Sequence, residues 1–255
     1  MSPTAVRSVG DVTPGQRDDD QDRFDQLLRA VGEVLDPELD VLDAMSRAVD
    51  ACVRTTAATE AGIVLADREG VLHVIASSSE RSIDAEEAQL GTEEGSCIDC
   101  VRTGRTVDVP DVSTRASEWP TFATTMRERG LVGTFAEPVR LRTATIGSLC
   151  VFADHDHGHD DRDVVAIQLL ADAASAALVR QRDPDRLRTL HDQVADALEA
   201  RVTIEQAKGA LAYRRGVEID EAFRVLRDGA RRSGRGLRAA AEDVVRSGGD
   251  LLDAS

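Results

Sequence analysis

The chain has few aromatic side chains: they make up 3% of its 255 residues, with a single Trp119 and a single Tyr213. Hydrophobic residues still reach 42%, so a core must be built from Leu, Val, Ile and Ala. No apolar run approaches the ~20 residues that a membrane-spanning helix needs, and no basic-then-apolar signal segment begins the chain. These absences predict a cytoplasmic protein whose four cysteines are reduced.

The motifs of several enzyme classes are missing as well. The sequence has no Walker loop, no GxGxxG dinucleotide motif, no serine nucleophile elbow and no kinase signature. It also lacks the hallmarks of a phosphoacceptor receiver domain. We therefore expect a protein that is not an enzyme, and the sequence assigns neither a cofactor nor a metal.

Positive charge is concentrated in the C-terminal part of the chain. The formal net charge of the whole chain is −16. Residues 201–246 contain 11 basic and 7 acidic residues, a net charge of +4, which leaves −20 on the remainder. Such a reversal indicates one region that meets an anion and another that does not.

Apolar residues of this C-terminal part recur at helical spacing in three successive runs, each followed by glycine. The runs are Leu187, Leu190, Val194, Leu198, Ile204, Ala207 and Leu211, then Ile219, Ala222, Phe223, Leu226 and Ala230, then Leu237, Ala240, Ala241, Val244 and Val245. The pattern predicts a small bundle of three helices.

The same region resembles the ANTAR domain over about residues 187–246. The resemblance is carried by Ile204–Leu211 (IEQAKGAL), Arg214–Gly216 (RRG) and Glu221–Arg227 (EAFRVLR). It implies a three-helix output module that binds paired RNA hairpins and prevents transcription termination. Glu218 departs from the family, which usually has Ser before the second helix, and Glu is a weak N-cap.

Six side chains of this region are candidate RNA contacts. Lys208, Arg214 and Arg215 come first, because Lys208 and Arg215 fall about 20° apart on one helix face, two turns from each other. Arg227 and Arg231 of the next helix come second, and Tyr213 could stack on an unpaired base. The alternative is a solvated helix surface, which is what a run of charges usually means.

The N-terminal part begins with a segment that reads as a disordered leader, residues 1–22, because it is rich in Pro, Gly, Ser and Asp. Beyond it, helical and strand-like periods alternate. Phe24–Val34, Leu39–Val53 and Val164–Arg180 have helical spacing, and the strand-like segments are Ala61–Ala66, Val71–Ala76, Thr106–Val109, Gly133–Arg140 and Ile146–Phe152. This order predicts an α+β domain with an antiparallel sheet covered by helices.

Short motifs make this part similar to the GAF domain over about residues 24–180. They are Ala88–Leu90 (AQL), Glu94–Asp99 (EGSCID), Val101–Gly104 (VRTG), Pro110–Val112 (PDV), Trp119–Phe122 (WPTF) and Ile146–Leu149 (IGSL). The resemblance is to the version that precedes ANTAR modules in high-GC Gram-positive bacteria. It implies a sensor of a small molecule, haem or a redox signal, since the fold alone does not identify the ligand.

These interpretations divide the chain into five segments. They are a leader at 1–22, a GAF sensor at 23–180, a helical linker at 181–200, an ANTAR domain at 187–246 and a tail at 247–255. On both sides of Asp183 and Pro184 the apolar spacing approximates 3.5 residues, which is typical of a coiled coil. The linker therefore predicts a homodimer formed through residues 164–201.

Cys97 and Cys100 form a CxxC pair. In a cytosolic protein such a pair is a redox couple, half of a zinc site or simply two packed thiols. Packed thiols are the leading interpretation and a reversible redox switch is the next. Zinc would need two more ligands, for which the sequence offers Cys52, Cys150 and the cluster at 155–160, a segment more typical of a surface loop.

Taken together, the sequence predicts a signal-responsive, RNA-binding regulator of transcription antitermination. Its partners would be a hairpin-containing transcript and an unknown small-molecule or redox signal. Two alternatives remain open. One is a thiol enzyme similar to the GAF-type free methionine sulfoxide reductases, with Cys97 as nucleophile and Cys100 or Cys52 as resolving thiol. The other is a dimerisation module without an RNA target.

Overall fold

The computed structural model describes residues 14–155, 160–180 and 190–248. Within these ranges the chain forms an antiparallel sheet, helices on both of its faces and a C-terminal helical bundle. The helices are α1 (Pro14–Val34), α2 (Val41–Thr55), α3 (Glu80–Thr92), α4 (Ser96–Thr103), α5 (Pro120–Glu128), α6 (Asp161–Arg180), α7 (Leu190–Arg215), α8 (Ile219–Arg232) and α9 (Leu237–Ser247). The strands are β1 (Glu60–Ala66), β2 (Leu72–Ser77), β3 (Val107–Val109), β4 (Gly133–Leu141) and β5 (Ala144–Ala153).

The sheet has the order β2-β1-β5-β4-β3, and all of its neighbouring strands are antiparallel. Asp67 closes the β1–β2 hairpin, because its carboxylate accepts hydrogen bonds from the backbone amides of Glu69 and Val71. Gly70 in the same turn has a φ of 85°, a conformation that favours glycine. This confirms the predicted hairpin.

Two hydrophobic clusters lie on opposite faces of the sheet, since successive strand residues point to opposite sides. In β5, Leu149 and Val151 belong to the larger cluster, whereas Cys150 and Phe152 belong to the smaller one. The larger cluster includes α2 and α6 and continues without a break into α7, α8 and α9. The C-terminal bundle is therefore packed on the sensor domain through a shared core.

The five strands overlap the five strand-like segments of the sequence, and the three-helix bundle is confirmed. Two differences concern helices. The sequence patterns did not predict α3, α4 or α5, because these helices are short or carry polar residues on their buried faces. Helix α1 begins at Pro14, so residues 14–22 of the predicted leader are helical; proline suits a first helical turn. Residues 1–13 lie outside the described ranges.

The apolar runs of the predicted linker are covered within the chain wherever it is described. Ile167, Leu170 and Ala174 of α6 are fully buried, and so is Val194 of α7. The side chains of Leu187 and Leu190, together with Asp183 and Pro184, lie outside the described part. These runs therefore do not by themselves require a second copy, and the homodimer stays a prediction. None of the described helices has the length and apolar character to cross a membrane.

Candidate functional site

The candidate RNA contacts are divided between two environments along α7 and α8. Lys208 lies about two turns before the C-terminal end of α7 and is 1% exposed, whereas Tyr213, nearer that end, is 93% exposed. Lys208 is also the only lysine in the chain. A single helix thus carries one cation into the domain interface and others to the surface.

Lys208 is held by two carboxylates and one aromatic ring. Its Nζ pairs with Glu80 at the start of α3 in the sensor domain, and lies 2.7 Å from Glu205 Oε2 one turn back on α7. The same Nζ lies 5.0 Å from the ring centroid of Phe223 on α8. A buried lysine needs such partners because an unpaired buried charge is costly. In this conformation Lys208 is not accessible to a phosphate group.

Asp50 of α2 pairs with two arginines of α8. Its carboxylate pairs with Arg227 and lies 2.7 Å from Arg231 Nη2. Arg227 is mostly buried, and its guanidinium lies 5.5 Å from the ring centroid of Phe223, one turn back on the same helix. Its pKa is lowered to about 10, chiefly by burial. Arg231 is about half exposed and borders, with Asp50, a cleft of about 650 Å³.

Further polar contacts cross the same interface. Arg201 donates to the carbonyl of Val74 in β2 at 2.8 Å and to Glu87 Oε1 of α3 at 3.0 Å. Asp43 of α2 accepts a 2.7 Å hydrogen bond from the backbone amide of Leu237, the first residue of α9. That helix has no side-chain cap of its own, so Asp43 caps it from the other domain. Acidic side chains of α2 and α3 thus face basic and amide groups of the bundle.

The remaining candidates lie at the exposed end of α7. Tyr213, Arg214 and Arg215 precede Gly216, which has a φ of 64° and ends the helix. Arg214 Nη1 donates to the carbonyl of Gly248 at 3.0 Å. The predicted row from Lys208 to Arg215 therefore exists as helix geometry, but the sensor domain covers one end of it. Whether these side chains contact RNA stays a prediction.

The two CxxC thiols are fully buried. Burial raises the pKa of Cys97 to about 11 and also raises that of Cys100. Arg102, which is near enough in sequence to favour a thiolate, pairs instead with Asp99, and Arg115 pairs with the same carboxylate. These surroundings hold both thiols in the neutral, unreactive form. The redox pairing of Cys97 with Cys100 stays a prediction.

Other residues singled out by the sequence have structural partners. Trp119 is buried, packs edge-on against Phe122 with centroids 5.9 Å apart, and has the Arg115 guanidinium 4.5 Å from its ring. His73 Nε2 lies 2.7 Å from Asp67 Oδ2 at the hairpin. His155 lies 3.0 Å from the carboxylate of Asp154, and residues 156–159 of its cluster lie outside the described ranges.

Sequence reasoning missed the carboxylates that complete the interface. Asp50 and Glu80 sit on helices of the sensor domain, far from the bundle in sequence, and nothing local marks them as partners of Arg227 and Lys208. A weak signal existed for α3, because Ser79 caps that helix and makes a capping box with Ser82. Recognising that helix would have placed Glu80 in its first turn.

Comparison with known proteins agrees with these two parts. The sequence matches the GAF domain family over residues 38–179 and the ANTAR domain family over residues 192–245. The fold is similar to the GAF domain of a phosphoenolpyruvate-protein phosphotransferase from Acinetobacter, with 15% identity, a TM-score of 0.52, and coverage of 65% of this chain and 98% of that one. It is also similar to the corresponding domain from Coxiella burnetii, with 16% identity, a TM-score of 0.51, and coverage of 65% and 97%. No curated protein sequence matches the chain.

Proposed function

The chain belongs to the GAF domain family and ends in an ANTAR domain, and from that premise we propose that it is a signal-responsive, RNA-binding regulator of transcription antitermination. The GAF domain receives a small-molecule or redox signal, and the ANTAR domain binds a hairpin-containing transcript. The observation that supports this proposal best is the pairing of ANTAR cations with GAF carboxylates, Lys208 with Glu80 and Arg227 with Asp50.

The described conformation is then the closed form of the regulator. Carboxylates of α2 and α3 occupy the cations that an RNA backbone would otherwise neutralise. Arg214 and Arg215 remain exposed at the end of α7, so they can make the first phosphate contacts. A signal that loosens the GAF domain from the bundle adds Lys208 and Arg227 to this surface, and the affinity for RNA rises.

The salt dependence of RNA binding tests this mechanism on the full chain. Each phosphate contact adds about 0.7–0.9 to the slope of log affinity against log salt. Asp50→Asn, which loosens the closed form, should bind a hairpin RNA more tightly than the wild type and with a steeper slope. Arg215→Ala should bind more weakly and with a shallower slope. Arg105→Ala is the matched control, because Arg105 is an exposed arginine of the GAF domain.

Two results would count against the assignment. If neither the wild type nor Asp50→Asn binds hairpin RNA at low salt, the chain has no RNA function of this kind. If Arg105→Ala lowers the slope as much as Arg215→Ala does, binding is a general response to positive charge. A dimerisation module without an RNA target predicts the first of these results.

We also propose that the regulator is a homodimer. The two copies associate through a surface that differs from the buried apolar runs of the linker. Phe24 and Leu28 of α1 are 51% and 52% exposed, and Val165 and Leu169 of α6 are 51% and 41% exposed. Each pair is spaced by one helical turn, and α1 packs beside α6, so each of these two neighbouring helices presents an exposed apolar pair that a second copy could cover. Light scattering should find a dimer for the wild type and a monomer for Leu28→Glu; a wild-type monomer at tens of micromolar would refute it.

The thiol-enzyme alternative has less support. A catalytic cysteine needs an accessible thiolate, whereas Cys97 is fully buried and its pKa is raised to about 11. Cys52, the second candidate resolving thiol, belongs to the cluster on the opposite face of the sheet. An NADPH-coupled assay with thioredoxin and methionine sulfoxide should therefore detect no turnover.

A further inference from the structure

Three side chains with metal-binding chemistry converge inside the GAF domain, away from the ANTAR interface. They are Glu86 of α3, Cys97 in the first turn of α4 and Cys150 of β5, and each is fully buried. The carboxylate oxygen and the two Sγ atoms all lie within 4.8 Å of one another. The three residues come from three different elements, so the fold itself assembles the cluster.

The carboxylate of Glu86 is only half satisfied by the described protein groups. Its Oε2 accepts a 3.1 Å hydrogen bond from Gln89 Nε2. Its Oε1 makes no full-strength hydrogen bond among the described residues and has beside it the Cys97 and Cys150 thiols, which are weak donors. Burial raises the pKa of this carboxyl group to about 8, so it stays neutral until a cation completes its coordination.

The surroundings of the carboxylate are built to hold it in place. Gly62 of β1 lies opposite, and a Cβ atom at that position would come within 2.9 Å of Glu86 Oε1. Gln89 fixes both ends of the cluster, because its amide nitrogen donates to Glu86 while its oxygen accepts from the Cys97 backbone amide at 2.8 Å. Metal ligands are characteristically oriented by such surrounding hydrogen bonds.

From this geometry we propose that Glu86, Cys97 and Cys150 bind a thiophilic divalent transition-metal ion of the zinc class. Two thiolates and one carboxylate form a donor set that zinc accepts, at about 2.3 Å to sulfur and about 2.0–2.2 Å to oxygen. Burial keeps the three groups neutral in the metal-free protein, so the ion displaces their protons to solvent as it binds. Ligand atoms already within 4.8 Å of one another need only small movements to occupy three corners of a tetrahedron, and a water molecule would complete the coordination. The CxxC motif thus contributes Cys97 alone, and the other ligands come from α3 and β5.

The site is independent of the proposed RNA function, and binding of cobalt tests it directly. The reduced full chain, stripped of metal with a chelator, is titrated with Co²⁺ as a spectroscopic substitute for zinc. We expect one Co²⁺ per chain with the near-ultraviolet charge-transfer absorption of a thiolate-bound ion, and displacement by Zn²⁺. The melting temperature of the stripped protein should rise when Zn²⁺ is added.

Variants identify the ligands. Cys97→Ser and Cys150→Ser should each lose about half of the charge-transfer intensity, and Glu86→Gln should lower the affinity for Co²⁺ at least about tenfold. Cys52→Ser is the matched control, because Cys52 is an equally buried cysteine in the cluster on the other face of the sheet. Circular dichroism checks that each variant is folded.

The proposal is overturned in three ways, two of which need no variant. The first is a wild type that takes up no Co²⁺ at micromolar concentration. The second is a wild type that binds Co²⁺ without the sulfur band, as a surface imidazole such as His155 would. The third is a complex that is lost in Cys52→Ser but kept in Cys97→Ser. A protein that binds hairpin RNA but fails these tests lacks the metal site and keeps its proposed function.

Discussion

The two ends of one helical row, Lys208 and Arg215, show how the same type of residue acquires opposite environments. They lie two turns apart on nearly the same face of α7, yet Lys208 is buried between Glu80 and Phe223 while Arg215 is exposed. The difference comes from the sensor domain, which covers α7 at Lys208 and leaves its last turn uncovered. Packing by the sensor domain therefore decides which cations of the bundle are buried and which are exposed. The predictions below test this contrast between the covered and uncovered parts of the bundle.

Removing the buried cation should have the largest effect. Lys208→Met leaves Glu80 and Glu205 without their common partner, and loss of one member of a buried pair typically costs about 3–5 kcal/mol. Because Glu205 is about half exposed, we expect the free energy of unfolding to fall by about 3 kcal/mol. Urea denaturation of the full chain measures it.

The other end of the row provides the comparison. Arg215→Met should change the free energy of unfolding by no more than about 0.5 kcal/mol, as exposed substitutions usually do. Equal losses for the two variants would mean that Lys208 is no better anchored than Arg215, and the contrast between the two ends would be wrong.

Opening of the interface should produce the second largest effect, and the single lysine reports it. Because Lys208 is 1% exposed, we expect its ε-amine to react with acylating reagents only when the GAF domain separates from the bundle. Asp50→Asn leaves Arg227 and Arg231 without their shared carboxylate, so we expect the closed state to weaken by about 1.4 kcal/mol or more, a tenfold faster modification. Peptide mass spectrometry separates Lys208 from the terminal amine.

Asp228→Asn is the control for this measurement. Asp228 also approaches Arg231, at 3.7 Å, but it lies on α8 itself and does not link the two domains. Its variant should leave the rate of Lys208 modification unchanged. If both variants accelerate the reaction equally, local charge around Arg231 matters and the interdomain pair does not.

The sheet and the bundle could be predicted from the sequence because their signals are local. The strand-like segment Ile146–Phe152 and the Asp67–Gly70 turn identify strands of the sheet, and the run from Ile219 to Ala230 identifies α8. The interface could not be predicted in this way. The partner of Lys208 is Glu80, and neither residue carries a local sign of burial, since lysine and glutamate are usually exposed.

The buried cluster of the GAF domain was hidden for a related reason. Glu86 and Gln89 occupy the core-facing side of α3, so the polar residues there interrupt the apolar period that marks a helix. The CxxC spacing directed attention to Cys100, whereas the fold brings Cys150 to Cys97. Spacing along a chain identifies neighbours on one helix but not those that a strand supplies.

A moderate effect is expected from pH, through Asp43 at the cap of α9. Burial, and then the nearby Asp40, raises the pKa of Asp43 from 3.8 to about 6, against the lowering effects of the Leu237 and Arg238 amides and of Arg47. The docked state therefore binds this proton more tightly than the unfolded state. Its contribution to stability is complete below about pH 4 and is lost as the pH rises through 6.

The comparison of wild type with Asp43→Asn isolates this contribution, because all other carboxylates are common to both. Asparagine keeps an oxygen that can accept from Leu237 but does not titrate. Between pH 4 and 7 the wild type should lose about 1 kcal/mol relative to the variant, because water in the cleft screens the charge and keeps the loss well below the roughly 3 kcal/mol that the full pKa shift would give. Parallel pH profiles would mean that Asp43 does not titrate in the interface.

The smallest effect should come from the N-terminus of α8, which carries Arg227 into the interface but begins at the surface. Glu218 occupies the N-cap position without making a side-chain cap hydrogen bond, and Asp220 and Glu221 already place negative charge in the first turn. Glu218→Ser should therefore stabilise the chain by about 0.5–1 kcal/mol, because serine caps the free amides. Glu218→Ala should give no such gain. The cap lies outside the ion pairs of Asp50 and Glu80. The rate of Lys208 modification in either variant should therefore change only as much as the variant's change in global stability explains. A serine variant that protects Lys208 strongly would show instead that the stability of α8 and the docking of the two domains are one property.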